Sequence, residues 1–367
     1  MRIVAIAVYQ ITMPLLGGEY VWAKGKRIDA ADTTVIRIDT DEGVSGWGET
    51  CPLGANYLPS YPDGIRSGVG FLASLLIGRD ATQIGAINRA MDFAMCGQLY
   101  VKSAIDVACW DILGKSVGLP VHGLLGGRQM AAMPMYRSIS QTDPARMREA
   151  AEEFRAEGYT QFQLKVGCAP EDDIRRIRAV CEVKREHEVV LCDANTGWRR
   201  DEALKVARAT SDLDYIYEQP CELYSDCLSV RRRAPQTFKL DESLQTATDL
   251  LQALSDDAMD VACIKISKMG GLSRSRLARD LCAARGIPMT VEDVWGGDLV
   301  TAALAHLAVS TPPEFLLNTT DLHNYQTTHF ADGAPQVENG KLLVSDEPGL
   351  GVDPDPQRLG EPVAVYT

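Results

Sequence analysis

The chain has 367 residues and a formal net charge of −13, a balance that gives nucleic acid or an anionic membrane no basic surface to dock on. It leaves a small anionic substrate open, because a metal ion or a few lysines can set the local field. Hydrophobic residues make up 46% and charged residues 24%, which fits a globular protein with a sizeable core.

The chain opens on Met1-Arg2-Ile3-Val4-Ala5-Ile6, which is strand-like and carries no signal-peptide cleavage pattern. Residues 33–38 are rich in β-branched side chains and strand-like, 39–43 form a turn, and 44–49 return as the second arm of a hairpin. A helix is predicted over 100–118, stopped by Gly118-Leu119-Pro120. From about residue 133, short apolar runs alternate with helical stretches. The runs are 161–166, 189–192, 214–217, 238–240, 261–266, 288–291 and 315–317, with helical periodicity over 172–186 and 200–211 between them. No run reaches a membrane span. The ten cysteines include no CxxC pair, and Cys109, Cys192 and Cys263 sit in apolar segments. They read as buried free thiols in a reducing cytoplasm, where the protein is expected to reside.

Strand–helix alternation predicts a parallel sheet. Lys165, Asp193, Glu218, Asp241, Lys265 and Asp293 end or follow apolar runs and recur every 23 to 28 residues. An eight-fold barrel allots about 30 residues to each strand–helix unit and places its chemistry at the C-terminal strand ends. An open doubly wound sheet is the rival, and the chain has no G-x-G-x-x-G fingerprint for one.

Asp193, Glu218 and Asp241 would converge from adjacent strands. Hard oxygen donors without histidine or cysteine support suit Mg²⁺, one per subunit. Taken singly, each reads as well as a helix cap or a surface ion pair. Lys165 and Lys265 interrupt runs that should be buried. Each must be paired there, or must lose its proton and act as a base, with Mg²⁺ and the other lysine lowering its pKa. Their strands bracket the three carboxylate strands, so the two lysines should face each other across the site. Lys268 reads as a solvated or supporting group. His122 reads as structural, and His306 falls in a helix.

Lysine bases with Mg²⁺ stabilising an enediolate is the arrangement of the enolase superfamily. The chain resembles its mandelate racemase/muconate lactonizing group along nearly its whole length. The resemblance rests on Ala104-Ile105-Asp106-Val107-Ala108-Cys109-Trp110-Asp111-Ile112-Leu113-Gly114-Lys115, on Leu124-Leu125-Gly126-Gly127, and on the stretch from Asp193-Ala194-Asn195 to Glu218-Gln219-Pro220. It implies an α/β fold: an N-terminal α+β capping domain (1–127), a (β/α)7β TIM-type barrel (128–320) and a C-terminal segment (321–367) returning to the cap. A homo-oligomer acting on a small-molecule carboxylate is expected. One departure stands out: the muconate-like subgroup has Lys-x-Lys at the first lysine strand, whereas this chain has Gln163-Leu164-Lys165.

Specificity in the family resides in capping loops, here 17–22 with Tyr20 and 52–61 with Tyr57, both aromatic and glycine-rich. At the barrel end, Asn195, Asp293, Trp295, Thr320 and Asp321 are the further candidates for substrate contact. Asp293, Asp298 or Asp321 could bind a cationic nitrogen, and Trp295 or Tyr57 could cover it. These features resemble the branch acting on hydroxyprolines and proline betaines. That resemblance implies dehydration of cis-3-hydroxy-L-proline to a pyrroline-2-carboxylate, or 2-epimerisation of proline betaine, 4-hydroxyproline betaine or proline. Thr319-Thr320-Asp321-Leu322 offers no tryptophan for a quaternary ammonium, which favours the dehydratase. Acid-sugar dehydration would call for a His–Asp base, and dipeptide epimerisation for an Asp-x-Asp at the last strand. A barrel that has lost catalysis and serves as a scaffold is the non-enzyme reading, and retention of all five polar residues speaks against it.

Overall fold

The computed structural model describes residues 1–367. The cap begins with β1 (Ile3–Pro14), β2 (Ala30–Thr40) and β3 (Ser45–Thr50), an antiparallel meander, followed by α1 (Pro62–Leu76), α2 (Ile84–Ala94) and α3 (Leu99–Val117). The β2–β3 hairpin and α3 lie within a few residues of their predicted bounds. α3 is buried on nearly every face. It packs hard against β3, where a Cβ at Gly46 or Gly48 would lie 2.3 Å from Ala108 O or 2.0 Å from Ala104 O.

Eight parallel strands follow: β4 (Arg137–Ile139), β5 (Gln161–Lys165), β6 (Val189–Asp193), β7 (Ile216–Glu218), β8 (Thr237–Leu240), β9 (Val261–Lys265), β10 (Met289–Glu292) and β11 (Leu316–Asn318), paired in chain order. Seven helices alternate with them: α4 (Pro144–Ala156), α5 (Pro170–Cys181), α6 (Arg200–Ala209), α7 (Tyr224–Arg231), α8 (Ala247–Ser255), α9 (Leu272–Ala284) and α10 (Asp298–Val309). A parallel bridge between Met135 and Thr319 closes the circle, with Tyr136 N donating to Thr319 O at 3.0 Å. This is a (β/α)7β barrel. Its first strand, β4, has three residues and was not among the predicted runs. The final strand β12 (Ala364–Tyr366) pairs antiparallel with β1, so the chain ends on the cap.

The α3 signature acts as a clamp. Asp106 accepts from Ser273 N (3.0 Å) and Ser273 Oγ (2.5 Å) at the start of α9. Gly271 makes room for it: its φ is +112°, and a Cβ would come within 2.4 Å of Asp106 Oδ2. Asp111 accepts from Trp47 N in β3 and Leu350 N in the C-terminal segment. Glu49 on β3 receives Gly297 N (2.6 Å) and Val300 N (2.9 Å), capping α10 from the other domain. His122 and His306 stack, buried, with centroids 5.2 Å apart. All ten cysteines are free. No helix is long and apolar enough to cross a membrane.

Candidate active site

Residues two apart on a strand share a face, so a barrel strand presents alternate residues to the interior. On β5 these include Lys165 and Gln163, and on β9 they include Lys265 and Cys263. Lys165 Nζ lies 2.5 Å from Asp193 Oδ2, at the end of β6. Lys265 Nζ lies 2.6 Å from Asp241 Oδ2, one residue past β8. Lys268 is buried too, with Nζ 2.7 Å from Asp241 Oδ1 and 2.6 Å from Asp241 O, so the solvated reading of it is wrong. Lys239, inside β8, completes the set. Its Nζ is 2.8 Å from Glu218 Oε1, off the direction of a hydrogen bond.

Burial opposes the charge on both Lys165 and Lys265, and the carboxylates outweigh it. Asp193 holds the first ammonium above its usual range and Asp241 holds the second well above. That is opposite in direction to the depression a general base needs. Burial likewise opposes the charge on Asp241, yet Lys265 and Lys268 keep its carboxyl well below the usual range. Glu218 goes the other way. Burial pushes it up to about 7; Lys239 opposes the rise, while Asp193 and Asp241 add to it.

Carboxylate oxygens of Glu218 and Asp241 and Cys263 Sγ lie within 4.8 Å of one another. Asp193 stands outside that cluster, tied to Lys165 and to Asn195 N (2.8 Å). Glu218 Oε1 is buried without a directed hydrogen bond, and Oε2 accepts from Gln163 Nε2 at 3.0 Å. Cys263 donates to Glu292 Oε1 at 2.8 Å, and burial drives its thiol far up, so it stays protonated. The donors left to a cation are carboxylate oxygens, which fits a hard divalent ion. Gln219 sets their geometry. Its φ is +34°, and its Oε1 accepts from Asp241 N at 2.9 Å.

Above the carboxylates lies a small cavity of about 30 Å³. Lys165 and Lys265 line it from strands four apart, half-way round an eight-stranded barrel. Of the residues singled out for substrate contact, Tyr20, Tyr57, Asn195, Asp293, Trp295 and Thr320 reach its wall. Asp321 and Asp298 do not. Asp321 is buried against Arg137 Nη1 (3.2 Å) and Asn324 Nδ2 (3.0 Å). Asp298 accepts from the amides of Phe330 and Ala331. Asp293 reaches the wall, yet its oxygens accept from Ser267 N, Ser267 Oγ (2.8 Å) and Val294 N (2.7 Å), which fix the turn behind Lys265. Each of these acids is thus already engaged by donors of the protein. Tyr57 faces Lys265 and Asp241, its hydroxyl 3.1 Å from each.

Four residues that the sequence did not single out, Glu292, Tyr136, Ser138 and Tyr325, also shape this wall. Glu292 ends β10, 3.6 Å from Lys265 Nζ, and is hydrogen-bonded by the Tyr136 hydroxyl. Ser138 holds Tyr20 OH at 2.8 Å and donates its amide to Tyr325 OH at 2.9 Å. Trp295 packs between Tyr20 and Tyr325, with centroids at 5.1 and 5.6 Å. Thr320 Oγ1 is buried at the wall with no partner.

Residues 24–126 match the mandelate racemase / muconate lactonizing enzyme N-terminal domain family, and residues 146–358 match the enolase C-terminal domain-like family. A cis-3-hydroxy-L-proline dehydratase of Roseibium aggregatum is 51% identical over 367 residues, covering 100% of both chains. Among solved structures, a mandelate racemase/muconate lactonizing enzyme from Roseovarius nubinhibens superposes with a TM-score of 0.97 at 44% identity, covering 100% of this chain and 98% of that one. An enolase-superfamily member from the same organism, complexed with magnesium, gives 0.95 at 39%, covering 100% of this chain and 99% of that one. The chain therefore belongs to the mandelate racemase/muconate lactonizing group of the enolase superfamily, and it is an enzyme of the lyase or epimerase kind found there.

Proposed function

We propose that the protein dehydrates cis-3-hydroxy-L-proline to a pyrroline-2-carboxylate, with Lys165 and Lys265 moving the protons and one Mg²⁺ per subunit held by Asp193, Glu218 and Asp241. The observation that carries this reading is the pair of lysines facing one cavity from opposite sides, each paired with a carboxylate of the proposed metal set. The similarity to the Roseibium dehydratase supports the substrate. When bound, Mg²⁺ supplies positive charge that counters the substrate carboxylate and relieves the lysines of their carboxylate partners.

The chain's own residues do the rest. In a cis-3-hydroxyproline the hydroxyl shares the carboxylate's face of the ring, so the α-hydrogen lies on the opposite face. One lysine accepts the proton from C2, and the other donates a proton to the departing C3 hydroxyl. The C2–H and C3–O bonds break, a C2–C3 double bond forms, and water leaves. Lysines on both faces satisfy this anti geometry. Thr320 Oγ1, a free acceptor at the wall, suits the N–H of a secondary ammonium and has nothing to offer a fully methylated nitrogen.

Lys165→Ala and Lys265→Ala should each lower turnover by at least about 10³-fold, with Mg²⁺ binding by calorimetry retained. Full activity in either variant removes the two-lysine mechanism. Proton NMR in D₂O with a panel of prolines and betaines reads the substrate. Loss of the 3-hydroxyl identifies the dehydratase, whereas deuterium at C2 with inverted configuration identifies 2-epimerisation of a betaine or proline.

A further inference from the structure

Outside the barrel mouth, a hollow of about 300 Å³ lies within the first part of the C-terminal segment, lined by residues between 323 and 337. His323 and His329 both line it, with ring centroids 5.8 Å apart at 77°. His323 is 4% exposed, and its Nδ1 is buried without a hydrogen-bond partner. Nδ1 is thus the ring nitrogen left idle in the interior. His329 is held differently. Its Nδ1 is 3.1 Å from Asp298 Oδ1, and Asp298 Oδ2 is fixed by the Phe330 and Ala331 amides. That carboxylate sets the orientation of the His329 ring and leaves Nε2 open.

An imidazole oriented by a carboxylate through one nitrogen is how proteins prepare the other nitrogen for a metal. Two imidazole nitrogens each about 2.0–2.1 Å from a shared ion put their ring centroids about 5 to 6 Å apart. A buried, unpartnered imidazole nitrogen otherwise loses its hydration for nothing. We propose that His323 and His329 bind one divalent transition ion of the imidazole-preferring kind, Zn²⁺, Ni²⁺ or Cu²⁺, with its remaining positions open to water or a small anion. The site is distinct from the all-oxygen carboxylate cluster, and imidazole selects against Mg²⁺. It joins residue 323, between Leu322 and Tyr325 of the cavity wall, to residue 329 beyond it, so a bound ion ties that wall to the stretch of chain that follows it.

The test uses the full-length, Mg²⁺-saturated protein. Titration with Zn²⁺ should show one additional site per chain, weakened at least tenfold by His329→Asn and unchanged by His187→Asn, an exposed histidine elsewhere. His329 is half-exposed, so its replacement leaves the fold intact, and retained Mg²⁺ binding checks this. With one equivalent of Cu²⁺, the paramagnetic resonance spectrum should carry superhyperfine structure from two imidazole nitrogens, reduced to one in His329→Asn. Zn²⁺ affinity indifferent to His329→Asn overturns the proposal, as does a Cu²⁺ spectrum without two nitrogens.

Discussion

Asp193, Glu218 and Asp241 leave their strands facing lysine ammoniums, whereas Asp293 and Asp321, further round the same barrel mouth, face backbone amides and a guanidinium. All five are buried acids near the end of a parallel strand. The first group is balanced by charges that a cation could replace, so its negative charge remains available for chemistry. The second group is tied to amides, a hydroxyl and a guanidinium that hold loops in place. The position of an acid on a barrel strand therefore says less about its role than the group facing it does.

The largest effect is expected where that balance is broken without a substitute. Lys239→Met leaves Glu218 buried beside Asp193 and Asp241 with its nearest cation gone. The metal-free protein should lose about 3–5 kcal/mol in urea unfolding, the cost of stranding one partner of a buried pair. A loss below about 1 kcal/mol would show the pairing to be marginal, and the distinction between the two groups of acids with it.

Asp321→Ala probes the other group. It strands Arg137, which lies 3.9 Å over the Tyr325 ring and is shielded from solvent. A loss of about 2–3 kcal/mol in stability is expected, with KM changed less than about threefold. A nitrogen-binding acid would do the reverse, raising KM and sparing the fold. Asp293→Asn should act through the turn that carries Ser267. Turnover is expected to fall about tenfold, roughly 1.4 kcal/mol, with KM nearly constant, because a misplaced Lys265 costs the transition state more than it costs binding. If KM rises instead, Asp293 contacts substrate directly.

The barrel was legible because its strands are short apolar runs closed by a polar residue at a nearly constant interval. Lys165, Asp193, Glu218, Asp241 and Lys265 stand at those ends. Lys239 was missed although a period-2 reading holds it: counting two back from Asp241 reaches Lys239, as counting two back from Lys165 reaches Gln163. Strand β4 carries Arg137 and Ser138 within three residues and offers too little apolar pattern to stand out. The commitments of Asp293 and Asp321 were not legible at all. Their partners Ser267 and Arg137 lie 26 and 184 residues away in sequence, on a short helical turn and on β4, and a single chain records only that an acid is present.

Thr320 carries the smallest effect and the clearest separation of the two groups of acids. Its hydroxyl oxygen is buried without a partner, so in the free protein it is a cost. Thr320→Val keeps the shape and removes that cost, and stability should hold or rise by up to about 1 kcal/mol. A substrate N–H that the hydroxyl accepts would lose its partner. KM for cis-3-hydroxy-L-proline should rise about five- to tenfold, close to 1 kcal/mol, while any exchange of an N,N-dimethylated proline is unaffected. Asp321→Ala and Thr320→Val are neighbours with opposite expectations: one lowers stability and spares KM, the other spares stability and raises KM. Should Thr320→Val leave KM unchanged, the wall that reads the substrate nitrogen must lie on the Glu292 side of the cavity, where Tyr136 and Lys265 already meet a carboxylate.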